Sequence, residues 1–156
     1  METMQIGPWN VEYDREKTRA LHNAVESPKS EKCKCAHCRN FVVARDTIYP
    51  EQVRTVLEKL GVDYRKEQEV YQIHEIDPGW HLYNGWFRFV GAISDSDGKL
   101  GISDRTGFST DDVPVNETFS WSLSQRASVV SWGLPVVEIH FEAKVPWMLK
   151  AEKTAF

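Results

Sequence analysis

The chain has 156 residues, enough for one domain with a substantial core and too few for two ordinary domains with a linker. Its hydrophobic fraction of 41% and charged fraction of 27% exclude a disordered or membrane-embedded class. A net charge of −4 argues against phosphate-backbone binding to nucleic acid as the main role. The opening residues hold no apolar stretch, and Asp14, Arg15, Glu16 and Lys17 fall where a signal peptide would need its hydrophobic region, so a cytoplasmic location is expected. No window approaches the roughly twenty apolar residues that span a bilayer.

Residues 1–69 read as helical. Asp14 is suited to cap a helix that runs through Leu21, Ala24 and Val25 until Ser27-Pro28 discourages its continuation. A second helix is expected from Asn40 to Asp46. The clearest lies at Tyr49 to Gly61: Pro50 suits the first helical position, Val53, Val56, Leu57 and Leu60 form one apolar stripe, and Gly61 suits the C-terminus. That stripe needs a flat partner. Residues 70–156 supply it, because five of the six tryptophans lie there among aromatic and β-branched segments. Strands are expected at Val70 to Ile76, His81 to Ile93, Glu117 to Gln125 and Val136 to Val145, with turn chemistry at Asp95-Ser96-Asp97-Gly98 and a long loop or lid over 99–116. The expected fold is α+β: one domain over 1–156, with N-terminal helices packed on a C-terminal antiparallel sheet of four or more strands.

Cys33, Cys35 and Cys38 form the sharpest chemical signal. Thiolates at such short spacing can turn toward one point and bind a borderline metal such as Zn²⁺. In a reducing compartment a tight cysteine cluster favours metal over a disulfide framework. Lys29, Lys32, Lys34 and Arg39 offset the charge of such a cluster. A closed zinc site needs a fourth ligand, for which His22, His74, His81 and His140 are the candidates; His22 is taken as the ligand, and His37 is too close along the chain. Three protein ligands would instead leave a position for water, the arrangement of a catalytic site. The same thiols without metal are the bland alternative. Cys35-Ala36-His37-Cys38 also has the C-x-x-C form of thiol redox proteins, although the polar segment 27–32 stands where that fold needs a hydrophobic strand.

On the last expected strand, alternation puts Val137, Ile139, Phe141, Ala143 and Val145 on one face and Glu138, His140, Glu142 and Lys144 on the other. The polar face reads first as the solvated side of a half-buried sheet, and second as an acid/base or metal site. Arg88 is placed to pair with Glu138 or Glu142 across the sheet, and the aromatic run 81–91 reads as core. Asp95, Asp97 and Asp104 lack calcium-loop spacing. Walker A, G-x-G-x-x-G, H-E-x-x-H and G-x-S-x-G patterns do not occur.

The chain resembles a group of small uncharacterised bacterial proteins that share Cys-x-Cys-x-x-Cys-x-Asn-Phe (Cys33 to Phe41), Tyr49-Pro50, Leu-Gly-x-Asp (Leu60 to Asp63), Gly-Trp-Phe-x-Phe-Val-Gly (Gly85 to Gly91) and Val-Pro-Trp (Val145 to Trp147). The resemblance runs from Cys33 to Leu149. It implies one domain and a bacterial cytosolic origin, with no catalytic residue to carry over.

Two functions follow from these residues. The first is a binding or interaction protein, with a protein partner and a structural zinc or thiol cluster. The second is a metal-dependent enzyme with an open Cys-ligated zinc.

Overall fold

A computed structural model describes residues 1–94, 108–109, 112–125, 130–131 and 133–149. The chain begins with a hairpin of β1 (Glu2–Ile6) and β2 (Trp9–Tyr13) and continues through four helices, α1 (Arg15–Asn23), α2 (Lys29–Lys32), α3 (Ala36–Ile48) and α4 (Glu51–Leu60). The strands that follow are β3 (Glu69–Asp77), β4 (Trp80–Ser94), β5 (Phe108–Ser109), β6 (Val113–Pro114), β7 (Phe119–Gln125), β8 (Val130–Ser131) and β9 (Leu134–Pro146). All pairings are antiparallel, and the sheet runs β1-β2-β4-β9-β7-β5, with β3 beside β4, β6 beside β7 and β8 beside β9. The α+β expectation holds. The expected turn at 95–98 lies outside the described residues, as does most of the loop at 99–116.

The N-terminal segment departs from its helical expectation. Trp9, Val11 and Tyr13 are buried while Asn10 is exposed and Glu12 half-buried, the two-residue period of a strand, and Gly7 supplies the positive φ of 56° at the turn. Asp14 does cap α1, its Oδ1 accepting the backbone N–H of Lys17 at 3.0 Å. The helix ends at Asn23, short of Val25, and its buried side chains are Thr18 and His22 rather than an apolar stripe.

That polar inner face has a definite task. Along one edge of β4, β3 pairs as far as Trp86 and β2 pairs from Gly91. In the gap, Thr18 Oγ1 accepts the N–H of Val90 at 2.9 Å and His22 Nε2 lies 2.9 Å from the carbonyl of Arg88. On the opposite edge β9 pairs as far as Val90, and there Gln125 takes over: its Oε1 accepts from Ile93 N and its Nε2 donates to Gly91 O. Side chains thus stand in for strands on both sides of β4, which satisfies backbone groups that burial would otherwise orphan.

The helices cover the sheet face that presents Tyr83, Phe87, Phe141 and Phe119. Phe41 of α3 packs on Tyr83 with ring centroids 5.5 Å apart, and Tyr49 meets Phe87, Phe119 and Phe141 at 5.4 to 5.7 Å. From α4 the stripe Val53, Leu57 and Leu60 is buried, as the spacing predicts, and Val56 is half-buried. Pro50 is the N-cap rather than the first helical residue. Gly61 takes φ 85° as C-cap, with Val62 N bonded back to Leu57 O at 2.9 Å. Between α2, α3 and the chain entering β3, buried Arg45 donates to Glu31 at 2.9 Å and to Ser30 Oγ at 3.1 Å, and its Nε lies 2.9 Å from Glu67 Oε1.

Candidate metal centre

The cysteines follow from the meeting of α2 and α3. Cys33 lies just past the end of α2, Cys35 is the N-cap of α3, and Cys38 sits in the first turn of that helix. Cys35 Sγ accepts the backbone N–H of Cys38 at 3.4 Å, the job a serine or aspartate oxygen performs in an ordinary cap. Cys33 Sγ lies 3.4 Å from Cys35 Sγ, and all three sulfurs fall within 4.8 Å of one another. No disulfide joins them. Tetrahedral zinc with Zn–S bonds of about 2.3 Å spaces its sulfurs by roughly 3.8 Å, so the donor set matches a thiophilic ion in chemistry and in spread.

The three thiols are not equivalent. Cys33 and Cys35 are exposed, whereas Cys38 is half-buried. The Cys33 thiol is held below its ordinary range, first by the backbone N–H of Cys35 and then by hydrogen bonds with Cys38 and Cys35. Burial, followed by the hydrogen bonds of its two neighbours, pushes Cys38 well up. The cluster therefore shares protons unevenly, and a bound cation would displace them.

Among the described residues, no histidine or carboxylate joins the sulfurs within that spread. His22, the expected fourth ligand, lies instead on α1 with Nε2 turned to the carbonyl of Arg88. Burial lowers its pKa, which suits the neutral ring of a group that completes a sheet edge. His74 is exposed on β3. His140 lies on the open face of the sheet in a row with Trp86 and Ser122. Its Nε2 is 3.3 Å from both Ser124 Oγ and Glu138 Oε1. Both partners meet the same ring nitrogen, so this is not the relay of a hydrolytic triad, in which the carboxylate takes the other nitrogen. Arg88 pairs with Glu138 as expected, Nε and Nη2 each 2.8 Å from Oε2. Glu138 and His140 are thus engaged with Arg88 and Ser124 on the polar face of β9.

His37, set aside for its proximity in sequence, does lie beside the cluster, and with it a group of residues that spacing does not reveal. Its ring is 5.7 Å from that of buried His81 and 5.8 Å from Trp147, and His81 lies on Trp147 at 4.7 Å. His81 Nε2 is 3.6 Å from Glu75 Oε2. Burial, then the neighbouring His81, lowers the pKa of His37. Tyr83 donates its hydroxyl to the carbonyl of His37 at 2.7 Å, fixing the first turn of α3 on β4. The one sequence-level pointer to this wall is the joint occurrence of histidine and tryptophan in otherwise β-rich segments.

Comparison with known proteins finds no matching family model, no matching curated protein and no matching solved structure. Among the described residues, no helix is long and apolar enough to cross a membrane. The arrangement that remains is a set of three close cysteines able to hold a metal ion, at the N-terminus of a helix whose far side is locked to the sheet.

Proposed function

We propose that this protein is a small binding module whose α2–α3 junction is stapled by Zn²⁺ through Cys33, Cys35 and Cys38. One observation carries the reading: three sulfurs from consecutive elements lie within 4.8 Å of one another. When bound, the ion supplies a cross-link and charge neutralisation, and it ties the end of the four-residue α2 to the first turn of α3. The chain does the rest. Asn40, Tyr83 and Phe41 hold α3 on the sheet, so ordering of the cysteine turn is transmitted to a fixed surface that a protein partner can read. A fourth donor comes from that partner, since two of the three cysteines face outward, and it closes the tetrahedron as a structural ion requires. The all-sulfur donor set supports a structural ion over a catalytic one.

Metal analysis of protein purified without chelator or a polyhistidine tag tests this. One equivalent of zinc is expected, with Cys35→Ser lowering both the stoichiometry and the melting temperature. Protein that takes up no zinc even when refolded with it would refute the proposal.

A second reading has its own support. Cys35 and Cys38 open a thirteen-residue helix with the first thiol exposed and the second half-buried, which is the disposition of a dithiol that exchanges with disulfides. Reduction of a disulfide substrate by metal-free protein with an external thiol supplied to return the oxidised Cys35–Cys38 pair to the dithiol, lost in Cys35→Ser, would favour it over the zinc staple.

A further inference from the structure

A cleft of about 390 Å³ opens between α1 and α4, lined by residues of neither the cysteine cluster nor its aromatic wall. Its volume falls within the range of small-molecule sites. The two helices that form its walls are clamped at one end. A Cβ on Gly61 would fall 2.3 Å from the carbonyl oxygen of Arg15, and Arg15 Nε donates to the carbonyl of Glu58 at 3.2 Å. The cleft is therefore a feature of helix packing.

Its lining carries charges of both signs. Arg19 comes from α1 and Arg54 from α4, while Glu58 and Asp63 bring carboxylates to the same space. Among the described residues, Arg19, Arg54 and Glu58 make no ion pair within 4.0 Å. Arg54 is also held in place: its guanidinium lies over the Tyr64 ring at 4.8 Å, and its Nε is shielded from solvent with no hydrogen-bond partner among the described residues. A planar fork fixed in this way is suited to a carboxylate. Asp63 uses Oδ1 to accept from Arg65 N at 3.0 Å, which orients the carboxylate. Leu57 and Val62 give the cleft an apolar floor.

An anion alone would meet Glu58 and Asp63, and a cation alone would meet Arg19 and Arg54. A molecule bearing both charges satisfies the two pairs together. We propose that this cleft binds a small zwitterion of the amino-acid type, its carboxylate against Arg19 and Arg54, its ammonium against Glu58 and Asp63, and its side chain on Leu57 and Val62. The proposal is independent of the metal centre.

The test is calorimetric titration of the full chain with the common L-amino acids. For whichever binds most tightly, the same carbon skeleton lacking the amine and that lacking the carboxylate are then titrated. The expected result is a dissociation constant near or below about 1 mM for at least one amino acid, weakened at least tenfold in each half-molecule. Arg54→Gln and Glu58→Gln should each weaken binding tenfold, and Glu58→Gln should do so while leaving the melting temperature of the free protein unchanged. Absence of binding up to about 10 mM would overturn the proposal. Undiminished affinity for the amine-free acid would overturn it in favour of a simple anion site, and binding that survives Arg54→Gln would place the ligand elsewhere.

Discussion

Asn40 accepts the backbone N–H of Met148 on its Oδ1 at 2.6 Å, and its Nδ2 donates to the carbonyl of Pro146 at 3.2 Å. One fully buried amide thus joins α3, two residues past Cys38, to the end of β9. Asn40→Ala should destabilise the protein by about 1–3 kcal/mol, since it removes both bonds and leaves their backbone partners to find water. Urea denaturation would measure the loss, and hydrogen exchange should show the Met148 amide losing protection first.

Leu57 is 1% exposed and packs at the centre of the α4 stripe. Truncation to alanine should cost about 2–5 kcal/mol, whereas Val56→Ala, at a half-buried position, should cost distinctly less. A loss at Leu57 no larger than at Val56, by equilibrium unfolding, would show the packing to be wrong.

Thr18 tests the stand-in for a strand at the edge of β4. Thr18→Val keeps the shape of the side chain but removes the acceptor for Val90 N–H, and should cost about 1–3 kcal/mol. Thr18→Ser restores the acceptor at the expense of one methyl. It should therefore be the milder change in a thermal melt, the reverse of what burial of apolar area alone would give.

Glu67 provides a pH dependence. Burial pushes its carboxyl up to about 7, with Arg45 opposing the rise. The folded state then holds a proton that the unfolded chain, titrating near the ordinary glutamate value, has released. The contribution to stability is fully present below about pH 4.5 and is lost as pH rises through about 7, with an upper bound of about 3 kcal/mol. Glu67→Gln should flatten this part of the profile. Unfolding measured from pH 5 to 8 should show the wild type losing stability relative to the variant as pH rises.

Periodicity made much of this fold legible. The stripe on α4 and the alternation on β9 follow from repeats of 3.6 and 2.0 residues, and both are buried on the expected sides. The N-terminal hairpin carried the same two-residue signal in Trp9, Val11 and Tyr13, but a segment dense in charge reads as helix when the small alternation is overlooked. α1 was legible at its cap and misleading in its core, because Thr18 and His22 are buried to serve the backbone of a strand some seventy residues away, which no local pattern encodes. The convergence of Cys33, Cys35 and Cys38 followed from their spacing. The wall of His37, His81 and Trp147 did not, since it depends on how β4 and the end of β9 pass the start of α3.

The closing of β4 by side chains has a consequence for association between molecules. Bare strand edges are templates for another chain. While α1 is docked, the backbone of Arg88 and Val90 is occupied although no strand lies there. Detachment of that one short helix uncovers hydrogen-bonding groups in the middle of the longest strand, flanked by Phe87 and Phe89. Aggregation of this protein should therefore begin with α1 lifting away rather than with fraying at either terminus, and mutations that weaken the Asp14 cap should accelerate fibril or precipitate formation well before they abolish folding.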